Sequence, residues 1–166
     1  MGGEVRNSVH EPPAVFADPF QIGCIIIASL QIFLQAQVVL PRMTNDIIDV
    51  MEACIDGRLD EIDLQFEDNA AVCVVLASDG YPVSYKKGYV INGLDEFKKH
   101  DGYYCFHAGT KLKDGQIVTN GGRVLGITAT GKDLKEARKN AYEATEWITF
   151  ANKYMRHDIG KAIDEA

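Results

Sequence analysis

The sequence predicts an α+β domain: an antiparallel sheet of short strands with flanking helices. Three observations carry this. Strand-like segments crowd between residues 59 and 128, helical periodicity is confined to the stretches on either side, and Lys113-Asp114-Gly115 joins two short apolar runs as a hairpin signal. The 166 residues suffice for one domain plus an appendage, and 46% apolar with 25% charged residues is a globular composition.

Residues 1–19 hold scattered Pro, Asp and Glu without a period and read as a tail. Residues 20–40, FQIGCIIIASLQIFLQAQVVL, have an uninterrupted apolar core at 22–30, which is shorter than the ~20 residues of a bilayer span. No membrane span is expected, and no secretory signal either, since Glu4, Glu11 and Asp18 outnumber Arg6. Pro41 breaks what precedes it. Thr44 is placed to cap a helix on which Ile47, Ile48, Met51, Cys54 and Ile55 recur at three- and four-residue spacing, with Gly57 ending it. Residues 59–66, LDEIDLQF, alternate Ile62, Leu64 and Phe66 with polar residues, the pattern of a strand with one wet face.

Residues 72–76 are continuously apolar and predict a central strand. Gly80-Tyr81-Pro82 is a turn, and residues 89–91 form a short extended piece closing on Asn92-Gly93. Residues 103–107 and 116–119 flank the Asp-Gly turn, which predicts a meander of antiparallel strands. A final strand is expected at 123–128. Asp133 and Glu136 then form a capping pair for a helix with Leu134, Ala137, Ala141, Ala144 and Ile148 on one face.

A net charge of -7 argues against a binder of nucleic-acid backbones, which needs a clustered basic surface. Cys24, Cys54, Cys73 and Cys105 are widely spaced and lack a C-x-x-C pair, so they read as small hydrophobes in a reducing cytoplasm, with no disulfide frame and no zinc site. Asp60, Glu61, Asp63, Glu67 and Asp68 read as solvated charges, and no metal site is assigned.

The best candidate for ligand contact is TNGGRVLG, residues 119–126. Gly121-Gly122 allows a close backbone approach, and Arg123 offers a planar fork to a phosphate; a glycine bulge with a surface arginine is the plain alternative. Lys111, in FHAGTKLKDG, is a second and lesser candidate as a point charge. His107 reads as a hydrogen-bonded structural residue, since neither Cys105 nor Thr110 is given the geometry of a nucleophile beside a base. No catalytic residue is assigned. A hairpin lysine is also the modified residue of biotinyl and lipoyl carriers, but TKLKDG lacks the framing that a modifying ligase reads. Tyr81 and Tyr85, in DGYPVSYKKG, read as packing residues.

In order and spacing, AAVCVVLAS, DGYPVSYKKG, FHAGTKLKDG and VTNGGRVLGITATG resemble the C-terminal domain of the phosphoribosylamine-glycine ligase family, ATP-grasp enzymes of purine biosynthesis. The likeness runs from QVVLPR at Gln37 to RHDIG near Ile159. It implies a single-hybrid-motif-like domain at 37–160, a divergent tail at 1–36 and a short tail at 161–166. It also implies a reaction joining 5-phosphoribosylamine and glycine with ATP and magnesium in the full-length enzyme. In that family an arginine where Arg123 stands faces the sugar phosphate, beside the ATP-grasp core.

Two departures qualify the expectation. Val83 stands where the family usually has a second glycine. Registered on Gln37, the family's E-F-N-V-R-F-G-D-P-E-x-Q strand puts Ile26 and Ala28 at the two magnesium-ligand positions, and aliphatic side chains cannot coordinate the ion. The chain by itself is therefore expected to be an inactive fragment with no cofactor of its own. Its expected partners are the substrate phosphate and an ATP-grasp core. The alternative is a noncatalytic docking or regulatory module that associates with an intact ligase.

Overall fold

The computed structural model describes residues 35–162. These lie in a compact unit that begins at Leu34. The expectations for residues 1–34, including the positions of Ile26 and Ala28 and most of the apolar 20–40 stretch, and for the last four residues lie outside the described part.

Two nine-residue strands form the centre. β1 (Ala70–Ser78) and β5 (Arg123–Gly131) run antiparallel, with Val72, Val74 and Leu76 opposite Ala129, Ile127 and Leu125. β2 (Tyr103–His107) pairs with the other edge of β5, and β6 (Lys153–Tyr154) adds two residues beside Ala77 and Ser78, which makes the order β2-β5-β1-β6. β3 (Thr110–Lys113) and β4 (Gln116–Thr119) form a separate two-stranded sheet. The fold is α+β, as the pattern predicts.

One face of the larger sheet carries the core. Period-two alternation along β1 and β5 turns Val74, Leu76, Leu125 and Ile127 to the same side, and all four are fully buried. They lie under α2 (Leu134–Thr145), which presents Ala137, Ala141 and Ala144, also fully buried. Three alanines let the helix axis approach the sheet closely, and no polar atom is brought in with them. The start of α2 follows the expected capping pair: Asp133 Oδ1 accepts from the Glu136 backbone N–H at 2.8 Å, and Glu136 Oε2 accepts from the Lys132 N–H at 2.8 Å. Leu134 departs from the expected face, standing 47% exposed at the helix rim, and Ile148 is buried from the turn that follows the helix.

The opposite sheet face is half-covered. Gln37, only 4% exposed, lies across it and accepts a hydrogen bond from Cys73 Sγ at 3.0 Å. Gly126 makes room for this amide, since a Cβ there would collide with Gln37 Oε1. Gln37, where the resemblance is expected to begin, is thus a side chain packed against the sheet. Deleting residues 1–35 retains that anchor and the whole core under α2. The shortened protein is expected to keep a single cooperative urea transition, reported by its only tryptophan, Trp147, with stability changed by no more than about 1–2 kcal/mol. Loss of the cooperative transition would assign the deleted residues to the core.

Four further expectations are corrected. α1 (Ile47–Asp56) is capped by Asp46, whose side chain accepts from the Ile48 N–H at 2.8 Å, and not by Thr44. Thr44 lies before the cap, donating its N–H to Gln65 O at 3.0 Å. Gly57 closes the helix in the left-handed conformation, φ 69°, as expected. Residues 59–66 make a 3-10 turn at Leu59–Glu61 and a single bridge from Phe66 to Met43, not a strand. Alternation makes a strand only where a partner ladder exists, and the short 42–44 segment offers little backbone to pair with.

The Asp-Gly hairpin is real, but its first arm is β3, not β2. Lys113 pairs with Gln116 across Asp114 and Gly115, both at positive φ. β2 instead crosses to β5, so there are two sheets in place of one meander. β5 extends to Gly131 and is followed by β6, so it is not the last strand.

Candidate functional site

The candidate residues 121–123 sit where β1 ends and β5 begins. A bulge in the β1–β5 ladder, between Leu76 and Ala77, brings Ala77 opposite Arg123. Beside it the loop is tied down: Ser78 N–H donates to Gly122 O at 2.7 Å, and Ser78 Oγ, on a fully buried residue, donates to Gly121 O at 3.1 Å. The two glycines meet protein atoms on their open sides. A Cβ on Gly121 would stand 2.8 Å from the Gly109 Cα, and one on Gly122 would enter the Tyr81 ring. Their lack of a side chain therefore serves internal packing, between two backbones in one case and under an aromatic ring in the other.

Arg123 is half-buried, and its guanidinium has no hydrogen-bond or ion-pair partner among the described residues. Its backbone is held at a bulge while its fork stays uncommitted. Around it, Ala108 N–H and Gly109 N–H both donate to Val124 O at 3.1 Å, and Asn120 N–H donates to Gly109 O at 2.7 Å. This folds the FHAG segment onto the NGGR segment. Lys111 stands exposed on β3 opposite Val118 and so belongs to the hairpin that leaves this loop cluster. His107 Nδ1 lies 2.9 Å from Thr110 Oγ1, the hydrogen-bonded role expected of it.

Tyr81 and Tyr85 meet edge to face, 5.8 Å between ring centres, with Lys87 Nζ 5.6 Å from the Tyr85 ring centre. Val83, at the family's glycine position, is 92% exposed in the turn that follows Gly80. Next to this turn a cavity of about 360 Å³ is lined by Asp79, Ser84, Tyr85, Lys86 and Asn152. Asn152 donates through Nδ2 to Lys86 O at 3.2 Å, while its Oδ1 is buried with no partner among the described residues and can accept from a bound donor.

Sequence reasoning missed Ser78 and Gly109, the residues that lock the loop. Each acts across more than ten residues of chain, and no local spacing signals either one. Tyr81 packs as expected, with its ring over Gly122.

The uncommitted Arg123 guanidinium is a group that can recognise an anion. The Thr110 hydroxyl stands beside a base, 2.9 Å from Nδ1 of the exposed His107, but on the hairpin side of the loop cluster. Burial raises the Cys73 thiol and pushes Cys105 up to about 12, so neither is a thiolate at neutral pH. Cys54, Cys73 and Cys105 are all unpaired. Among the described residues no group of three or more His, Cys, Asp or Glu side chains could hold a metal ion, and no helix is long and apolar enough to cross a membrane.

Comparison with known proteins identifies relatives of the chain. A family model described as phosphoribosylglycinamide synthetase, C domain, matches residues 71–162. Among curated proteins, the chain is 48% identical over 125 residues to a phosphoribosylamine-glycine ligase of Caldanaerobacter subterraneus, covering 75% of this chain and 29% of that protein. It is 49% identical over 127 residues to a ligase of the same name from Synechocystis, covering 76% and 30%. Among solved structures, the phosphoribosylamine-glycine ligase of Thermotoga maritima matches with a TM-score of 0.54 and 38% identity, over 66% of this chain and 27% of that one. The chain thus spans under a third of the length of these relatives.

Proposed function

The chain belongs to the phosphoribosylglycinamide synthetase C-domain family, and from that premise we propose that it acts as the C-terminal domain of a phosphoribosylamine-glycine ligase, with the Arg123 loop facing the substrate. The complete reaction in this reading joins 5-phosphoribosylamine and glycine with ATP and magnesium, in the cytoplasm. The single observation that supports it is the uncommitted Arg123 fork, held at a bulge by a loop whose other hydrogen bonds are satisfied internally. A guanidinium in that position binds a phosphate through two parallel hydrogen bonds. Lys111 adds a point charge from the hairpin. No described residue is assigned to magnesium, and no step is routed through the ion.

A chimera tests the reading. Residues 37–162 replace the matching segment of a full-length relative, and glycine-dependent ADP release is followed. The chimera is expected to turn over, whereas the 166-residue chain alone is expected to release no ADP above background. A folded chimera without activity, or steady glycine-dependent release by the chain alone, would overturn it.

A second reading, a noncatalytic module that docks on an intact ligase, is favoured by one observation. Ile48, Met51 and Ile55 on α1 are 61%, 58% and 84% exposed, an unusual display for three neighbouring apolar side chains. Co-elution of the chain with an intact ligase in size exclusion supports it. A chain that elutes only by itself sinks it.

A further inference from the structure

The turn that leaves β1 carries charges that the Arg123 loop does not use. Residues 79–88, DGYPVSYKKG, line the cavity of about 360 Å³ together with Asn152. Asp79 and Lys86 both stand on its wall, and neither side chain has a hydrogen bond or an ion pair among the described residues, the one with the other included. The two opposite charges share a small cavity and do not meet. The backbone under each is pinned by Asn152, whose O accepts from the Asp79 N–H at 2.8 Å and whose Nδ2 donates to Lys86 O at 3.2 Å. Beyond Asp79, Gly80 O accepts from the Val83 and Ser84 N–H groups at 3.0 and 3.1 Å; beyond Lys86, the Gly88 N–H donates to Thr119 O at 2.7 Å. The walls are fixed before any ligand arrives, which lowers the ordering cost of binding. Lys87 differs from Lys86, since its Nζ lies 5.6 Å from the Tyr85 ring centre in a cation–π contact.

Both signs at one site narrow the ligand. A simple anion meets Lys86 but is repelled by Asp79, a simple cation meets the reverse, and a molecule bearing both charges answers both walls. The geometry points to a binding site for a small zwitterion, a free α-amino acid, with its ammonium at Asp79 and its carboxylate at Lys86. The ammonium also supplies a donor to Asn152 Oδ1, which is buried with no partner among the described residues. The Ser84 hydroxyl, on the same wall, donates to the carboxylate. The volume lies at the lower end of the range of small-molecule sites and exceeds what glycine fills, so the ligand carries a side chain, which lies against the Tyr85 and Tyr89 rings. This site stands apart from the Arg123 reading: it uses other residues and other chemistry, and belongs to the chain by itself.

The test is isothermal titration calorimetry of the 166-residue chain with L-phenylalanine, compared with phenylalaninamide, N-acetylphenylalanine and glycine. Phenylalanine is expected to bind. The amide lacks the carboxylate and the acetylated form lacks the ammonium, and each should bind about three- to tenfold more weakly, as should glycine for want of a side chain. Asp79→Asn should abolish the preference for phenylalanine over the acetylated form, and Lys86→Gln the preference for phenylalanine over the amide. That crossed pattern assigns each charge to its end of the ligand. Both side chains are exposed, and circular dichroism confirms that the fold is retained. Inorganic phosphate, added as a competitor for the Arg123 loop, should leave phenylalanine binding unchanged. No binding of phenylalanine, equal affinity for its three forms, or preferences that survive both substitutions would overturn the proposal. Displacement by phosphate would move the amino acid to the Arg123 loop and overturn it as well. An inactive chimera, by contrast, would overturn the Arg123 reading alone.

Discussion

Arg123→Ala, placed in the active chimera, is expected to raise the KM for phosphoribosylamine by about 10- to 100-fold while the KM for glycine stays near its starting value. Hydrogen bonds to a charged group contribute roughly 1.5–3 kcal/mol, which is one to two powers of ten in affinity. The side chain makes no described intramolecular bond, so its removal should not disturb the fold. Arg123→Lys should recover only part of the loss, because an ammonium keeps the charge without the planar fork. Lys111→Ala, on an exposed hairpin strand, should change the same KM by less than Arg123→Ala does. An Arg123→Ala chimera with an unchanged KM for phosphoribosylamine would return this residue to the plain alternative, a surface arginine beside a glycine bulge.

Gly93→Ala is expected to be the most damaging single methyl in the fold. Gly93 adopts φ 92°, and a Cβ there would enter the carbonyl of Trp147, with the Trp147 carbonyl carbon 2.8 Å away. The left-handed conformation alone costs an alanine roughly 1–2 kcal/mol, and displacing packed backbone adds about 1–3 kcal/mol, for a loss of about 2–5 kcal/mol. Backbone cannot swing aside as a long side chain does. The collision also lies next to the bridge in which Asn92 and Thr149 exchange hydrogen bonds at 3.0 and 3.1 Å, and next to the cluster of Phe97, His100 and Tyr103 around Trp147. Gly57→Ala is the control: φ is 69°, but nothing lies within 4 Å of the added methyl, so only the roughly 1–2 kcal/mol conformational cost applies. Urea unfolding followed by Trp147 fluorescence should order the midpoints wild type, Gly57→Ala, Gly93→Ala. Equal midpoints for the two variants would show that the backbone yields at little cost.

Much of the fold is legible because it rests on local chemistry. The apolar run at 72–76, the Asp-Gly turn and the Asp133–Glu136 cap each carry their cause within a few residues, and each is found where it was read. The errors share one cause. Thr44 lost the cap to Asp46, residues 59–66 lost their ladder, and residues 103–107 lost their expected place in the hairpin, because each outcome depends on which distant backbone is available to pair. The site divides in the same way. The tract holding Gly121, Gly122 and Arg123 stands out in the sequence, but the reason for its glycines does not.

By itself, then, the sequence determined the α+β class, the lineage and the central strand, and it singled out Arg123 as the candidate for meeting a phosphate. Periodicity, turn chemistry and motif order are written in neighbouring residues, and need no knowledge of the whole. Only the tertiary structure decided that Gly121 and Gly122 yield space to Gly109 and Tyr81, that Ser78 locks their loop, that Gln37 anchors the far side of the sheet, and that the stripe on α1 faces outward. Each of these is a meeting of segments far apart along the chain, or the absence of such a meeting. Helical spacing shows that a stripe exists; only packing determines which side of it meets the domain.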